Sequence, residues 1–415
     1  MVLALLLLPS SAQTGNTDRL SEHHCTDFQR ANFLRGRKLK VQFILFTSSI
    51  PSCGELISDD DGIKNCSFNS SLKTKIIIHG FRALGTKPSW IEGLVQAILH
   101  SSQVNVIAVD WVYGSTGAYP SAVENVTQLA LAISQFISKL LALGVSGTSI
   151  HIIGVSLGAH IGGLVGHFHS GHLGQITALD PAGPKYRASP EERLDPGDAL
   201  FVEAIHTDAD SYNFLICDHM RAVHLYISAL SHPCPIVGFP CASHQDFLNG
   251  HCLDCAKPFL SSCPRIGLLE QAGVNMSRLP QEVEVFLMTS PSAPFCVYHS
   301  LVEFQLQKKR NRVTSIEISF ISNSTKDTEK ITIPKDQETG KRLLAHRVPL
   351  CQINSVTLKY IPKKLFWSKD EPSIVGKFCV APLPLNSSRT MSCLPWSLTL
   401  PSKTDISYEL LPACA

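Results

Sequence analysis

Charge is scarce in this chain. Charged residues make up 17% of its 415 positions, below the roughly 25% usual for soluble domains. The formal net charge is only +2. Without a strongly basic domain or stripe, a nucleic-acid partner is excluded. Long apolar runs are also missing. Beyond the N-terminal stretch Val2-Leu3-Ala4-Leu5-Leu6-Leu7-Leu8, nothing reaches the 18 or so apolar residues that a membrane span needs. A zinc-binding pattern is lacking too: Cys252-Leu253-Asp254-Cys255 is a lone C-x-x-C, and no second such pair completes a ligand set. The sequence therefore predicts no metal and no transmembrane segment. Internal repeats and low-complexity linkers are absent. One segment, Lys308-Lys309-Arg310-Asn311-Arg312, is locally basic. It reads as a solvated turn, with anionic headgroups or a sulfated glycan as its alternative partners.

What is present points to an extracellular, globular chain. Hydrophobic residues make up 44%, and the length allows two domains with substantial cores. Fourteen cysteines and the sequons at Asn65, Asn69, Asn125, Asn275, Asn323 and Asn386 fit an oxidising, glycosylating compartment. Residues 1–12, an apolar run followed by Ser10, Ser11 and Ala12, read as a secretory signal without the usual basic start.

Strands and helices alternate through the first two thirds. Thr74 to Phe81 and Val104 to Trp111 read as strands, with a helix from Ser89 to His100 between them. Residues 122–143 form an amphipathic helix, with Val126, Leu129, Ala130, Ile133, Ile137 and Leu140 on one face. Further strands end at Asp180 and at His206, and a helix follows from about Asp218 to Leu230. This alternation predicts an α/β domain with a mostly parallel sheet covered on both faces. Near residue 280 the pattern changes to short strands: Val283–Met288, Val302–Leu306, Ser315–Ile321, Lys330–Ile333, Ser355–Tyr360 and Ser373–Phe378. These predict a β-sandwich. The expected domains are 13–290 and 291–415.

The chemistry centres on Gly154-Val155-Ser156-Leu157-Gly158. It follows a buried strand and opens a helix, the context of a nucleophile elbow. A serine hydroxyl is a weak nucleophile at neutral pH and needs a base held by a carboxylate. Asp180, at the carboxyl end of the next strand, is the candidate acid, with Asp208 as the alternative. The base lies among His206, His219, His224, His232, His244, His251, His299 and His346; pattern alone leaves that choice open, although His219 stands at a predicted helix start.

His79-Gly80-Phe81, Asp110-Trp111, the elbow, Leu179-Asp180-Pro181-Ala182-Gly183-Pro184, Ile205-His206-Thr207-Asp208 and Cys217-x-His219-x-Arg221 together resemble the pancreatic lipase family. The resemblance covers about residues 27–290, and the later strands are similar to the family's C-terminal PLAT-like sandwich. It implies an α/β-hydrolase fold with Ser156 as nucleophile, Asp180 as orienting acid and His219 as base. The backbone amides of Phe81 and Leu157 would form the oxyanion hole, His79 would be structural, and no cofactor or metal would be needed. It also implies disulfides Cys53–Cys66, Cys241–Cys252 and Cys255–Cys263, and one between Cys351 and Cys379.

The stretches 84–90, 110–117 and 266–268 look closest to family members that cleave the sn-1 acyl ester of phosphatidylserine and its lyso form. The implied substrate is then a phospholipid at a membrane or lipoprotein surface. A triacylglycerol lipase is the rival enzyme. A catalytically dead lipid- or glycan-binding protein is the rival of another class. In one respect the sequence departs from the family. Between Asp208 and Cys217 the family has a surface loop, an Asn-Gly-Gly turn and a lid; here only Ala209 to Ile216 intervene. Those eight residues reach at most roughly 26–29 Å when extended. The departure predicts either a triad assembled in an open, lidless site or, with part of the acyl-chain wall lost, exposed apolar surface and a Cys217 without its usual partner.

Overall fold

The computed structural model describes residues 25–32, 38–58, 62–183, 186, 192–207, 216–231, 236–253, 263–267, 282–362, 372–383 and 391–409. The predicted signal (1–12), Asp208, His232, Cys255, Asn275 and Asn386 lie outside them.

The first body is built in chain order from β1 (Gln42–Thr47), β2 (Ile50–Ile57), the one-turn α1 (Gly62–Asn65), β3 (Thr74–Ile78), α2 (Ile91–Ser101), β4 (Asn105–Asp110), α3 (Tyr119–Glu124), α4 (Val126–Ala142), β5 (Ile150–Val155), α5 (Leu157–Phe168), β6 (Gln175–Leu179), β7 (Phe201–Ile205) and α6 (Ile216–Ser231). The strands form one seven-stranded sheet in the order β2-β1-β4-β3-β5-β6-β7. Pairing is parallel from β4 to β7, and β1 and β2 add antiparallel. Central strands such as β4 are buried along their whole length, which is why they read as continuous apolar runs rather than alternating ones. The six residues predicted on the inner face of the amphipathic helix are all buried, together with Phe136. Two apolar clusters cover the two sheet faces. One packs α2 and α6, the other α4 and α5.

Next come β8 (Phe239–Pro240), α7 (His244–Leu248) and β9 (Val285–Phe286). Val283–Met288 had the alternation of a sandwich strand. It supplies only the two-residue β9, paired with β8 and outside the sandwich. Short alternation reports a half-exposed strand but not its partner.

The sandwich comprises β10 (Tyr298–Leu306), β11 (Thr314–Ile321), β12 (Lys326–Ile333), β13 (Thr339–His346), β14 (Ser355–Ile361), β15 (Ser373–Pro382), β16 (Ser392–Cys393), β17 (Leu398–Pro401) and β18 (Asp405–Glu409). One sheet runs β13-β10-β15-β16, with β17 also on β15, and the other runs β12-β11-β14-β18. Their inner faces share a core that includes Phe304, Ile318, Phe320, Leu358 and Phe378. A smaller cluster, with Phe239 and Phe247 against Leu301 and Leu343, joins the β8–α7 region to the sandwich. Arg310, in the basic run, is turned inward: its guanidinium donates to Tyr360 Oη at 3.0 Å and is buried.

Two disulfide expectations are corrected. Cys53 is bonded to Cys25, not Cys66. The amide of Thr26 donates to Gly54 O at 2.7 Å, which lays residues 25–26 along β2 and brings the two Cα atoms to 4.9 Å. Cys66 is free, its thiol donating to Ile63 O. Cys379 pairs with Cys393 rather than Cys351, because the two are cross-strand neighbours in β15 and β16. Cys241–Cys252 is closed, and Cys263, Cys296 and Cys351 are each disulfide-bonded.

Candidate active site

The elbow is a strained turn. Ser156 sits between β5 and α5 with φ 58° and ψ −118°, a conformation that a non-glycine residue adopts only when its surroundings impose it. Close packing imposes it here. A Cβ on Gly158 would stand 2.1 Å from Ile78 O, so only glycine lets α5 approach β3 this closely. The Ser156 amide donates to Leu179 O, and the Ala182 amide donates to Ser156 O. These bonds tie the elbow to both sides of Asp180.

The turn after β3 lies against the serine. A Cβ on Gly80 would meet Ser156 Cβ at 2.7 Å and Ser156 Oγ at 3.2 Å. The neighbouring peptide is fixed by His79. Trp111 N–H donates to His79 Nε2 at 3.3 Å, so Nδ1 carries the ring proton and donates to Gly80 O at 2.9 Å. Burial drives this imidazole down to about 3, so it stays neutral. In a trans peptide the N–H points opposite to the C=O. Pinning Gly80 O to His79 therefore turns Phe81 N–H the other way. Leu157 is the first residue of α5, so its N–H has no intrahelical acceptor. Phe81 meets Tyr119 edge-on, and burial pushes the Tyr119 hydroxyl up to about 12.

On the other side, Asp180 has φ 48°, which aspartate tolerates better than most residues. Each of its two carboxylate oxygens meets a partner. Thr207 N–H donates to Oδ1 at 3.0 Å, and His219 Nδ1 lies 2.6 Å from Oδ2. That contact directs the opposite ring edge, Nε2, away from Asp180. Ser156 and His219 are not hydrogen-bonded to each other among the described residues, and Nε2 has no partner there. Such contacts are often long before substrate enters.

The competing histidines are placed elsewhere. His206, His224 and His244 are exposed, and His251 pairs with Asp246. His299 and His346 are buried in the sandwich, His346 on Ser300 Oγ. Of the described histidines, His219 is the one that Asp180 holds. Sequence reasoning did not find Thr207, nor the way His79 fixes its neighbour. His160 was also missed: its Nε2 donates to Ala182 O and its Nδ1 accepts from Leu194 N–H, so it braces the loop after Asp180. Burial drives it down to about 4. No group of three or more His, Cys, Asp or Glu among the described residues is arranged to hold a metal ion.

A family model described as "Lipase" matches residues 7–215 and 209–295. The chain belongs to the lipase family. Among curated relatives of this lipase-family chain, Phospholipase A1 member A of Bos taurus is 56% identical over 441 residues, covering 99% of this chain and 97% of the relative. The Homo sapiens protein of the same name is 53% identical with the same coverage. Lipase member H of Danio rerio is 32% identical, covering 96% of this chain and 95% of its own. The aligned length of 441 exceeds the 415 residues of this lipase-family chain, so these phospholipases carry residues for which it has no counterpart. The two family matches meet at residues 209–215, the place where the sequence reading expects a missing segment.

Proposed function

We propose that this chain is a phospholipase A1, hydrolysing the sn-1 acyl ester of phosphatidylserine and lysophosphatidylserine. The observation that carries the reading is the Asp180–His219 pair at 2.6 Å, held beside a strained serine elbow. Ser156 Oγ attacks the ester carbonyl while His219 Nε2 takes its proton. Asp180 keeps the imidazole in the tautomer that leaves Nε2 able to accept. The amides of Phe81 and Leu157 receive the oxyanion. His219 then returns the proton to the leaving glycerol sn-1 oxygen, which departs as the lysophospholipid or, from the lyso substrate, as the fully deacylated glycerophosphoserine. Water, activated by the same histidine, frees the fatty acid from Ser156. The near full-length relatives named phospholipase A1 support the substrate class.

We further propose that the chain is secreted and acts at a membrane or lipoprotein surface. Its two domains are residues 13–290 and 291–415, and it lacks a lid. No helix among the described residues is long and apolar enough to cross a membrane. A sulfated glycan at the basic run would meet Lys308 and Lys309, since Arg310 is buried. The exposed sequons Asn65, Asn69 and Asn323 are the glycan acceptors of this reading.

The test is fluorophosphonate labelling of the purified chain beside Ser156→Ala, followed by hydrolysis of phosphatidylserine and triolein vesicles. Serine-dependent labelling with release of the sn-1 fatty acid is expected. Preference for triolein would make the chain a triacylglycerol lipase. A folded chain that is never labelled would make it a lipid-binding relative without activity.

A further inference from the structure

Helix α6 carries His219 in its first turn, yet the chain leading into it is where the two family matches meet, at residues 209–215. What holds the helix in register therefore matters. Its buried face, with Ala222, Val223, Leu225, Tyr226 and Ala229, packs into the core. Apolar packing of this kind fixes depth better than rotation, because neighbouring side chains can exchange places in the same groove.

Rotation is set by two polar grips on the opposite side from His219. Arg221 Nη2 donates to Thr289 Oγ1 and to Ser290 O, both at 2.6 Å, and its guanidinium lies 5.1 Å above the Phe295 ring. Ser228 Oγ donates to Pro294 O. At about 100° per residue, Arg221 and Ser228 are seven positions apart and share one face, roughly 10 Å apart along the axis. His219 is two positions from Arg221, about 200° around the helix. The gripping segment is itself closed on its own backbone: Ser290 N–H donates to Phe295 O, and Phe295 N–H donates to Ser292 O. It leads directly into β10 of the sandwich, with Cys296 disulfide-bonded.

We infer that Arg221 is a positioning residue for the proposed reaction: by gripping residues 289–290 it fixes the rotation of α6 and keeps His219 on Asp180, independently of the segment before the helix. The inference rests on the triad reading above. It implies that a chain short of residues before α6 can still assemble the site, because the helix is held by its packing into the core, by Thr207 Oγ1 donating to Asp218 O at 2.7 Å and by the grips on residues 289–294, none of which lies in that segment.

The experiment uses the full chain with Arg221→Met, Arg221→Lys and Thr289→Val, and Ser156→Ala as control. Methionine keeps an apolar stem over Phe295 and deletes the donors. Three readouts are taken below the unfolding temperature of each variant: kcat against KM, fluorophosphonate labelling rate, and the low-field proton resonance of a histidine Nδ1–H bound to a carboxylate. Arg221→Met is expected to lower kcat and labelling roughly 10- to 100-fold, with KM little changed and the low-field resonance lost. Arg221→Lys should restore part of both, and Thr289→Val should give a smaller effect in the same direction even if Arg221→Met fails to fold. A folded Arg221→Met with unchanged kcat and resonance, beside a Ser156→Ala that is no longer labelled, overturns the inference alone. Labelling that persists in Ser156→Ala overturns the triad reading and the inference with it.

Discussion

The serine side and the histidine side of the candidate site are held by opposite means. Ser156 is fixed by steric fit and backbone bonds: Gly158, which admits Ile78 O at close range, a helix that begins at the next residue, and backbone bonds to Leu179 and Ala182. His219 is fixed by residues far away in sequence, Asp180 at a separation of 39 and residues 289–290 at 68 and 69 through Arg221. A half built on tight backbone packing resists rearrangement and fails all at once. A half built on distant hydrogen bonds can be weakened by degrees, and it tolerates changes in the chain between its anchors.

The largest expected effect breaks the steric half. Gly158→Ala puts a methyl against the Ile78 carbonyl, backbone that has no side chain to move aside. The cost should exceed about 3 kcal/mol. Soluble yield and the urea midpoint report it, and a variant as stable as the parent would show that the elbow is not tightly packed. Second is His79→Phe, which keeps the ring stack on Trp111 but frees Gly80 O. Labelling should fall roughly 100-fold through a misdirected Phe81 amide. The unpaired Trp111 N–H should cost about 1–3 kcal/mol. An unchanged labelling rate would mean that the Gly80–Phe81 peptide holds its orientation without the histidine.

Changing pH should separate the two halves. His79 and His160 brace the serine side, and burial holds them at about 3 and about 4 against an ordinary 6.5. The unfolded chain takes up these protons first, so stability is lost as pH falls from 6.5 towards 4. Buried His299, at about 4, adds to the slope in the sandwich. The sum should reach several kcal/mol, on the order of one per unit of pH per group.

Glu203, near Tyr226 of α6, behaves in the opposite sense. Burial raises it to about 7 from 4.5, against hydrogen bonds from Thr177 and the Gly267 amide. The folded chain holds this proton more tightly, so the contribution fades as pH rises from 4.5 through 7. Glu203→Gln should therefore stabilise the chain by about 1–3 kcal/mol at pH 8 and leave it nearly unchanged at pH 4. Urea titrations at both values check this, and equal shifts at the two would remove Glu203 as the cause.

The smallest effect concerns surface chemistry. Asn125 Nδ2 already donates to Gly114 O and Ser121 O, whereas Asn69 is exposed. Peptide mapping after enzymatic deglycosylation should find the mark of a glycan at Asn69 and not at Asn125. A glycan on Asn125 would show that those two bonds are dispensable.

The sequence made the steric half legible. An elbow is a short-range steric object, so the glycines, the serine and the flanking strand and helix were readable from neighbouring residues. The α/β order and the inner face of α4 were readable because buried parallel strands and amphipathic helices leave periodic patterns. Asp180 followed from its place at a strand end. Several features left no such pattern. Pattern alone leaves the histidine one of eight; the family resemblance names His219, and its contact with Asp180 appears only when β6, β7 and α6 are assembled. The family resemblance pairs Cys53 with Cys66, whereas its partner is Cys25, because the pairing depends on which segment lies beside β2. Val283–Met288 had strand alternation but met only β8.

What the chain determined by itself was the set of elements and the nucleophile, because these depend on interactions within a turn or along one face. What only the tertiary structure decided was the partner of each group: which histidine Asp180 holds, which cysteine bonds which, and which side of α6 is gripped. Those choices depend on distances between segments far apart in the chain, which become defined only when the sheet and the packed helices bring the segments together.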